Sequence, residues 1–211
     1  MKADHFEILV EELSMEAFLT LVLPKILGSN STFTIHSYRG KPDLLKKLGA
    51  RLRGYAKWLP ATSRIVVLVD RDDDDCKLLK QKMELLAGEA ALATRSTTGG
   101  ASWRLANRIA IEELEAWYFG NWDSVRLAYP SVPESVPNKA AYRAFDAIKG
   151  GTWEALERIL RRAGHFQGGL RKVEAASKIG SGFDPDSCTS PSFAALRYAV
   201  AEAVGETDQN H

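Results

Sequence analysis

The chain has 211 residues, of which 45% are hydrophobic and 26% are charged, with a formal net charge of +1 at pH 7. This composition is that of a globular protein, excludes an intrinsically disordered chain, and gives no overall charge bias toward nucleic acid or membranes. Its two cysteines lack metal-site or disulfide spacing, and neither a signal peptide nor a membrane span is recognisable, so we expect a cytoplasmic protein.

The first 60 residues alternate between strand and helix patterns. Phe6 to Val10 is predicted to be a short strand, followed by a helix that Ser14 caps and Gly28 ends. Phe33 to His36 is predicted to be a second strand. After a polar turn, leucines recur at helical spacing from Leu44 to Leu59, which predicts a helix with one face in the core.

The strongest strand pattern is the run Ile65 to Val69, five apolar residues of which four are β-branched. Such a run is typical of a strand buried on both faces of a parallel sheet. Beyond it we predict a helix, two short strands and another helix, at residues 75–86, 91–95, 107–111 and from 112 onward. This alternation predicts an α/β domain over residues 1–120, with a mostly parallel central sheet flanked by helices.

After residue 120 the sequence becomes helical in pattern. A proline-rich loop precedes four segments with helical periodicity, at residues 139–148, 152–163, 170–179 and 190–204. Their apolar stripes are too narrow to form a separate small core, so we expect residues 121–205 to form a helical extension packed on the α/β domain. Residues 206–211 are expected to be a disordered tail.

Acidic residues follow three of the predicted strands. Glu11 comes after the first strand, Asp70 and Asp72 after the central strand, and Glu112 to Glu115 after the last. Because the carboxyl ends of parallel strands share one edge of a sheet, we expect these side chains to converge. Clustered carboxylates repel one another unless a cation such as Mg²⁺ lies between them. The alternative is that the acids after the central strand cap the next helix and face solvent.

The segments ILVEELSMEAFL and IVVLVDRDDDD resemble the two motifs of the TOPRIM fold, which occurs in topoisomerases, DnaG-type primases, RecR-like repair proteins and OLD-family nucleases. Longer segments, among them VVLVDRDDDDC and NRIAIEELEAWYFG, resemble a bacterial TOPRIM-like family of unknown function over nearly the whole chain. The resemblance implies that Glu11 is the TOPRIM glutamate and that Asp70 and Asp72 are its Asp-x-Asp pair. Met15 stands where OLD-like sequences often have a second glutamate, so the number of metal ions stays open.

The resemblance also implies a function: a Mg²⁺- or Mn²⁺-dependent nuclease subunit, with DNA favoured over RNA, that works with a separate ATPase in a mobile-element or defence system. The chain itself has no Walker motif. The expected metal ligands are Glu11, Asp70, Asp72, Asp74 and Glu112. The expected catalytic residues are Glu11, Asp70, Asp72 and Glu115, and spacing alone does not choose between Glu112 and Glu115 as the third acid.

Four basic residues near this edge are candidates for binding substrate phosphate: Arg39, Lys41, Lys47 and Arg51. The alternative is that the first two lie in a solvated turn and the last two on a solvated helix face. Two other functions stay open. One is a non-catalytic subunit that binds nucleic acid or regulates a partner. The other is a small-molecule phosphatase or phosphotransferase, although Asp74 stands where the haloacid-dehalogenase motif requires threonine or valine.

Overall fold

A four-stranded parallel sheet with the order β2-β1-β3-β4 lies at the centre of the protein. The computed structural model describes residues 2–29, 31–100 and 102–205. The strands are β1 (His5–Val10), β2 (Thr32–Ser37), β3 (Ser63–Asp70) and β4 (Leu105–Ala110). All neighbouring strands are parallel, which confirms the predicted α/β class. The expected tail at residues 206–211 lies outside the described residues.

Helices cover both faces of this sheet. They are α1 (Leu13–Leu27), α2 (Lys41–Trp58), α3 (Cys76–Glu89), α4 (Arg95–Thr98), α5 (Leu114–Gly120), α6 (Trp122–Ala128), α7 (Thr152–Arg162), α8 (Lys172–Gly182) and α9 (Pro191–Val204). Side chains of α2 and α3 form one core with the sheet, while those of α1 and of α5 to α9 form a larger core on the opposite face. None of the described helices is long and apolar enough to cross a bilayer.

Strand β3 is buried along its whole length, as its run of apolar residues predicts. Val66 and Leu68 belong to the larger core, whereas Val67 and Val69 belong to the core beneath α2 and α3. Burying each such side chain contributes roughly 1.5–3 kcal/mol, so the position of β3 in the sheet is strongly determined. The strand therefore ends at Asp70 with its backbone fixed between β1 and β4.

The C-terminal helices α8 and α9 pack against elements of the α/β domain. Helix α8 lies against α1, and α9 lies against β4 and α1. Gly180 of α8 approaches α1 closely, since an added Cβ would lie 3.3 Å from the carbonyl oxygen of Phe18. The Lys25 ammonium donates to three carbonyls at the end of α8, at 3.1, 2.8 and 2.7 Å. The larger core thus includes side chains from both sides of residue 120.

Several elements differ from the sequence-based expectation. The strand expected at 91–95 is wrong, because Ala91 has a φ of +54° and Thr94 caps the short helix α4, leaving only an isolated bridge to Leu105. The helix expected at 139–148 is also wrong: that segment forms turns and one 3₁₀ turn at Phe145–Ala147. Helix α6 was not expected from the sequence.

Candidate metal centre

The carboxyl ends of β1, β3 and β4 meet at one edge of the sheet, and backbone hydrogen bonds continue past the strand ends. The Arg71 amide donates to the carbonyl of Ala110 at 2.9 Å, and the Asp72 amide donates to that of Glu112 at 3.0 Å. On the other side, the Gly40 amide donates to the carbonyl of Glu11 at 2.7 Å. These bonds fix the backbone from which the predicted acids project.

Three of the predicted acids are buried at this edge: Glu11, Asp70 and Glu115, which we call the inner acids. Their exposed fractions are 7%, 3% and 2%, respectively. Each has one buried oxygen without a hydrogen-bond partner among the described residues: Glu11 Oε2, Asp70 Oδ1 and Glu115 Oε2. Because an unpaired buried carboxylate is costly, this group must take up protons or bind a cation.

Burial and neighbouring acids raise the pKa of each inner acid. Burial and the charges of Glu11 and Glu115 raise the pKa of Asp70 well above its usual range. Burial and the charge of Asp72 raise the pKa of Glu11 to about 7. Burial also raises the pKa of Glu115, against the opposing charge of Lys172. Asp70 therefore lies in the electrostatic field of both Glu11 and Glu115.

Two further predicted ligands, Asp72 and Asp74, lie outside this buried group; we call them the outer acids. Their side chains are 48% and 52% exposed. The Lys41 ammonium lies 2.8 Å from Asp72 Oδ2 and 2.7 Å from Asp74 Oδ2. Burial lowers the pKa of Lys41, but hydrogen bonds to the outer acids outweigh burial and raise it, so the side chain is charged. Lys41, predicted to bind substrate, is therefore occupied by the outer acids.

Helix capping after β3 is performed by a different residue, Asp75. Its Oδ1 accepts from the amides of Lys77 and Leu78, both at 2.9 Å, at the start of α3. In the described residues, Asp70 has no such contact and its Oδ1 has no partner. The capping alternative considered for the acids after the central strand thus applies to Asp75 and not to Asp70.

The acids after β4 divide between two places. Glu115 is an inner acid, whereas Glu112 lines a cleft of about 510 Å³ and lies 3.7 Å from the Arg71 guanidinium. This acidic cleft lies between the β4–α5 turn and the start of α7, and its other lining residues include Glu113, Lys149 and Glu154. Burial and the charge of Glu115 raise the pKa of Glu113 to about 7.

Two residues near the inner acids have no signal in the sequence. Lys172, at the start of α8, lies over the Trp153 ring at 5.3 Å from its centroid. Burial lowers its pKa, but the charges of Glu115 and other acids outweigh burial and raise it. Tyr118, 1% exposed, has a hydroxyl without a partner among the described residues. Lys172 lies far along the chain in a helix of ordinary amphipathic pattern, so only the packing of α8 reveals it.

The other predicted substrate residues line a separate cleft of about 820 Å³ between the end of β2 and α2. This basic cleft is lined by His36, Ser37, Tyr38, Arg39, Asp43, Lys47, Ala50 and Arg51. Lys47 is paired with Asp43 at 2.7 Å, and the Arg51 guanidinium lies 5.1 Å from the centroid of the Tyr55 ring. The cleft therefore carries an excess of positive charge beside the end of β2.

The chemistry of the inner acids fits a hard divalent cation. Across residues 2–29, 31–100 and 102–205, no group of three or more Asp, Glu, His or Cys side chains is placed so that it could hold a metal ion. Mg²⁺ does not require one, since it usually binds one or two carboxylates and keeps water and substrate phosphate as its other ligands. The unpaired oxygens of Asp70, at the end of β3, and of Glu11, directly after β1, are carboxylate oxygens of this kind.

Comparisons with known proteins give the following similarities. The family described as "Domain of unknown function (DUF4276)" matches residues 10–201. No curated protein sequence is similar enough to count as a match. Among solved structures, the chain is similar to the C-terminal region of the Burkholderia pseudomallei OLD protein, with 18% identity over 94% of this chain and 98% of that chain, and a TM-score of 0.48. Since the family model spans most of its length, the chain belongs to the DUF4276 family.

Proposed function

We propose that the protein is a Mg²⁺- or Mn²⁺-dependent nuclease subunit that cleaves phosphodiester bonds, with DNA as the favoured substrate. The observation that carries this proposal is the buried, unpaired carboxylate of Asp70 at the carboxyl end of β3, which lies in the electrostatic field of Glu11 and Glu115. The match of Glu11 and the Asp70–Asp72 pair to the TOPRIM motifs supports it. A separate ATPase is the partner that the family resemblance suggests, and the given sequence has no Walker motif.

The inner acids would hold the cation, and each neighbouring residue has a role that follows from its position. A bound Mg²⁺ supplies an activated water and neutralises charge on the phosphate. Glu113, whose pKa burial and the charge of Glu115 raise to about 7, is the proposed general base near neutral pH. Lys172 lies in the field of Glu115 but forms no ion pair within 4 Å among the described residues, so its charge is available to a phosphate oxygen.

The basic cleft would bind the sugar-phosphate backbone. Arg39, Lys47 and Arg51 present positive charge beside the turn that carries Glu11. Phosphate contacts of this kind hold nucleic acid in register without reading its sequence. We therefore expect binding that depends on salt and only weakly on base sequence.

The test is to measure metal binding and cleavage with Asp70→Asn. Thermal unfolding of the wild type in millimolar Mn²⁺ should shift upward, because a cation at 100 times its Kd stabilises the folded state by about 2.7 kcal/mol. Asp70→Asn should lose this shift and any cleavage of plasmid DNA. Asp123→Asn, the same change at an exposed position of α6, is the matched control and should behave as the wild type.

A wild type whose unfolding does not respond to Mg²⁺ or Mn²⁺ would overturn the metal-dependent reading. It would favour the second candidate, a non-catalytic subunit that binds nucleic acid or regulates a partner. The ion pairs of Lys41 support this second candidate, since they offset part of the charge of the outer acids without any metal. A metal-stabilised protein that binds DNA and cleaves neither DNA nor RNA would also favour it.

A further inference from the structure

We infer that the Lys41 ammonium takes the place of a second divalent cation at this sheet edge, so that the site binds one metal ion only, at the inner acids. The inference rests on the proposed function and deepens it, because it assigns the number of metal ions and the residue that sets that number. It follows from how differently the two groups of acids are neutralised in the same structure.

The contacts of Lys41 resemble those of a small cation bound by oxygen atoms. Its Nζ lies 2.8 Å from Asp72 Oδ2, 2.7 Å from Asp74 Oδ2 and 3.0 Å from the carbonyl oxygen of Arg71. An ammonium group has three protons, and these three oxygens accept all of them. A divalent cation at the outer acids would have to displace this group or share its oxygens with it.

The position of Lys41 is fixed by the backbone and not by the reach of a flexible side chain. The residue is only 9% exposed and begins α2 directly after Gly40, whose φ is +87°. The Gly40 amide donates to the carbonyl of Glu11, so the turn that places Lys41 is attached to the strand end that carries an inner acid.

A lysine in this position is unfavourable for the helix itself. The N-terminus of an α-helix carries partial positive charge, and a cation in the first turn is repelled by it. Helix α2 also has no side-chain cap at Gly40. Local helix stability therefore does not explain Lys41, whereas neutralisation of the outer acids does.

The charges of Lys41 and Lys172 act on Glu11 and Glu115, respectively, but without direct ion pairs. Among the described residues, none of Glu11, Asp70 and Glu115 forms an ion pair within 4 Å, and each retains a buried oxygen without a hydrogen bond. The outer acids are half-exposed and share the Lys41 ammonium, which reduces their joint charge from −2 to −1, so they have less to gain from a metal ion than the inner acids. Positive charge at Lys41 would further repel a second divalent cation from that position.

The experiment counts bound Mn²⁺ ions by the loss of the free Mn²⁺ signal in electron paramagnetic resonance, with titration calorimetry as a second measure. We expect one ion in the wild type and two in Lys41→Met, which keeps the apolar stem and removes the charge. Lys41→Arg, which keeps the charge, should bind one ion. Lys46→Met, at an exposed position of the same helix, is the matched control and should also bind one.

Two further variants keep the test decisive if Lys41→Met does not fold, as judged by circular dichroism. Asp74→Asn removes an outer acid and should bind one Mn²⁺ with affinity within about threefold of the wild type, since each missing exposed charge has a small effect. Glu11→Gln removes an inner acid and should weaken Mn²⁺ binding by at least tenfold. Loss of binding in Asp74→Asn with retention in Glu11→Gln would overturn the assignment.

The outcomes also separate this inference from the proposed function. Two Mn²⁺ ions in the wild type, or one in a folded Lys41→Met, would overturn the role of Lys41 and leave a metal-dependent nuclease standing. No Mn²⁺ in either protein would remove the metal basis of the proposed function, and the inference with it.

Discussion

Glu7 on β1 is a buried carboxylate whose hydrogen-bonding groups are all satisfied, in contrast to the inner acids. Its Oε2 accepts from the Tyr55 hydroxyl at 2.7 Å and lies 2.6 Å from His36 Nε2, while Oε1 lies 3.3 Å from His5 Nε2. Burial raises the pKa of Glu7, but the hydrogen bonds from Tyr55 and His36 outweigh burial and lower it. Glu7 lies on β1 and Glu11 directly follows it, yet the pKa of Glu7 is lowered and the pKa of Glu11 is raised.

This contrast predicts the pH dependence of stability. A carboxyl with a lowered pKa contributes stability that is present above its ordinary pKa, near 4.5, and is lost as pH falls through its folded-state pKa. Glu7→Gln should therefore reduce the free energy of unfolding by roughly 1–3 kcal/mol at pH 7 and by much less at pH 3. Urea unfolding between pH 3 and pH 7 measures this, with exposed Glu89→Gln as the control. An equal loss at both pH values would assign the effect to packing.

At this scale the sequence predicts the strand-end acids but not how they are neutralised. Glu11 and Asp70 could be located because each directly follows an apolar run that ends at the sheet edge. The sequence suggests that Lys41 binds substrate. Its contact with three oxygens could not be predicted, because it depends on the path of a loop 30 residues away. Lys172 could not be found at all, because nothing in a helical pattern indicates which distant strand it will face.

Helix α2 presents two polar faces, and only one of them borders the basic cleft. Lys47 and Arg51 line the cleft, whereas Lys46 and Arg53 are exposed and do not. If the cleft binds phosphate, Lys47→Gln with Arg51→Gln should weaken binding to every DNA sequence and reduce the slope of log K against log salt by up to about 2, since each lost contact removes roughly one released counterion. Lys46→Gln with Arg53→Gln is the control for net charge. Identical salt slopes for the two pairs would make α2 an ordinary solvated helix.

Strands and helices could be predicted where burial produces a regular spacing of apolar residues. They could not be predicted where local hydrogen bonds determine the conformation. The sequence of β3 indicates only a buried strand, because it is apolar on both faces. The sequence of α9 indicates only a helix, because Ser190 and Pro191 mark its start and Gly205 its end. The segment 139–148 has helical spacing, yet its apolar side chains Tyr142 and Phe145 are only partly buried against the core. Without a buried stripe to stabilise it, a short segment does not gain enough to remain helical.

The protein as a whole depends on the packing of α8 and α9 for a complete core. Phe18 of α1 contacts Phe183 with ring centroids 4.8 Å apart, and Trp117 contacts Phe193 at 5.2 Å. We therefore predict that a chain ending at residue 120 does not fold cooperatively, and that limited proteolysis of the full chain yields no stable fragment of residues 121–205. Circular dichroism melting and mass spectrometry of the digest measure these outcomes. A stably folded C-terminal fragment would show that the helical extension is an independent domain.

Lys172 has a consequence for how the protein is made. Lys172 lies 161 residues after Glu11 (172 − 11), so it emerges from the ribosome much later. Until α8 docks against α1, the strand-end carboxylates lack the positive charge that this helix brings to them. A nascent or prematurely terminated chain would thus carry the acids without the complete site. Under the proposed nuclease function, this order of synthesis would delay cleavage of nucleic acid until α8 has been made.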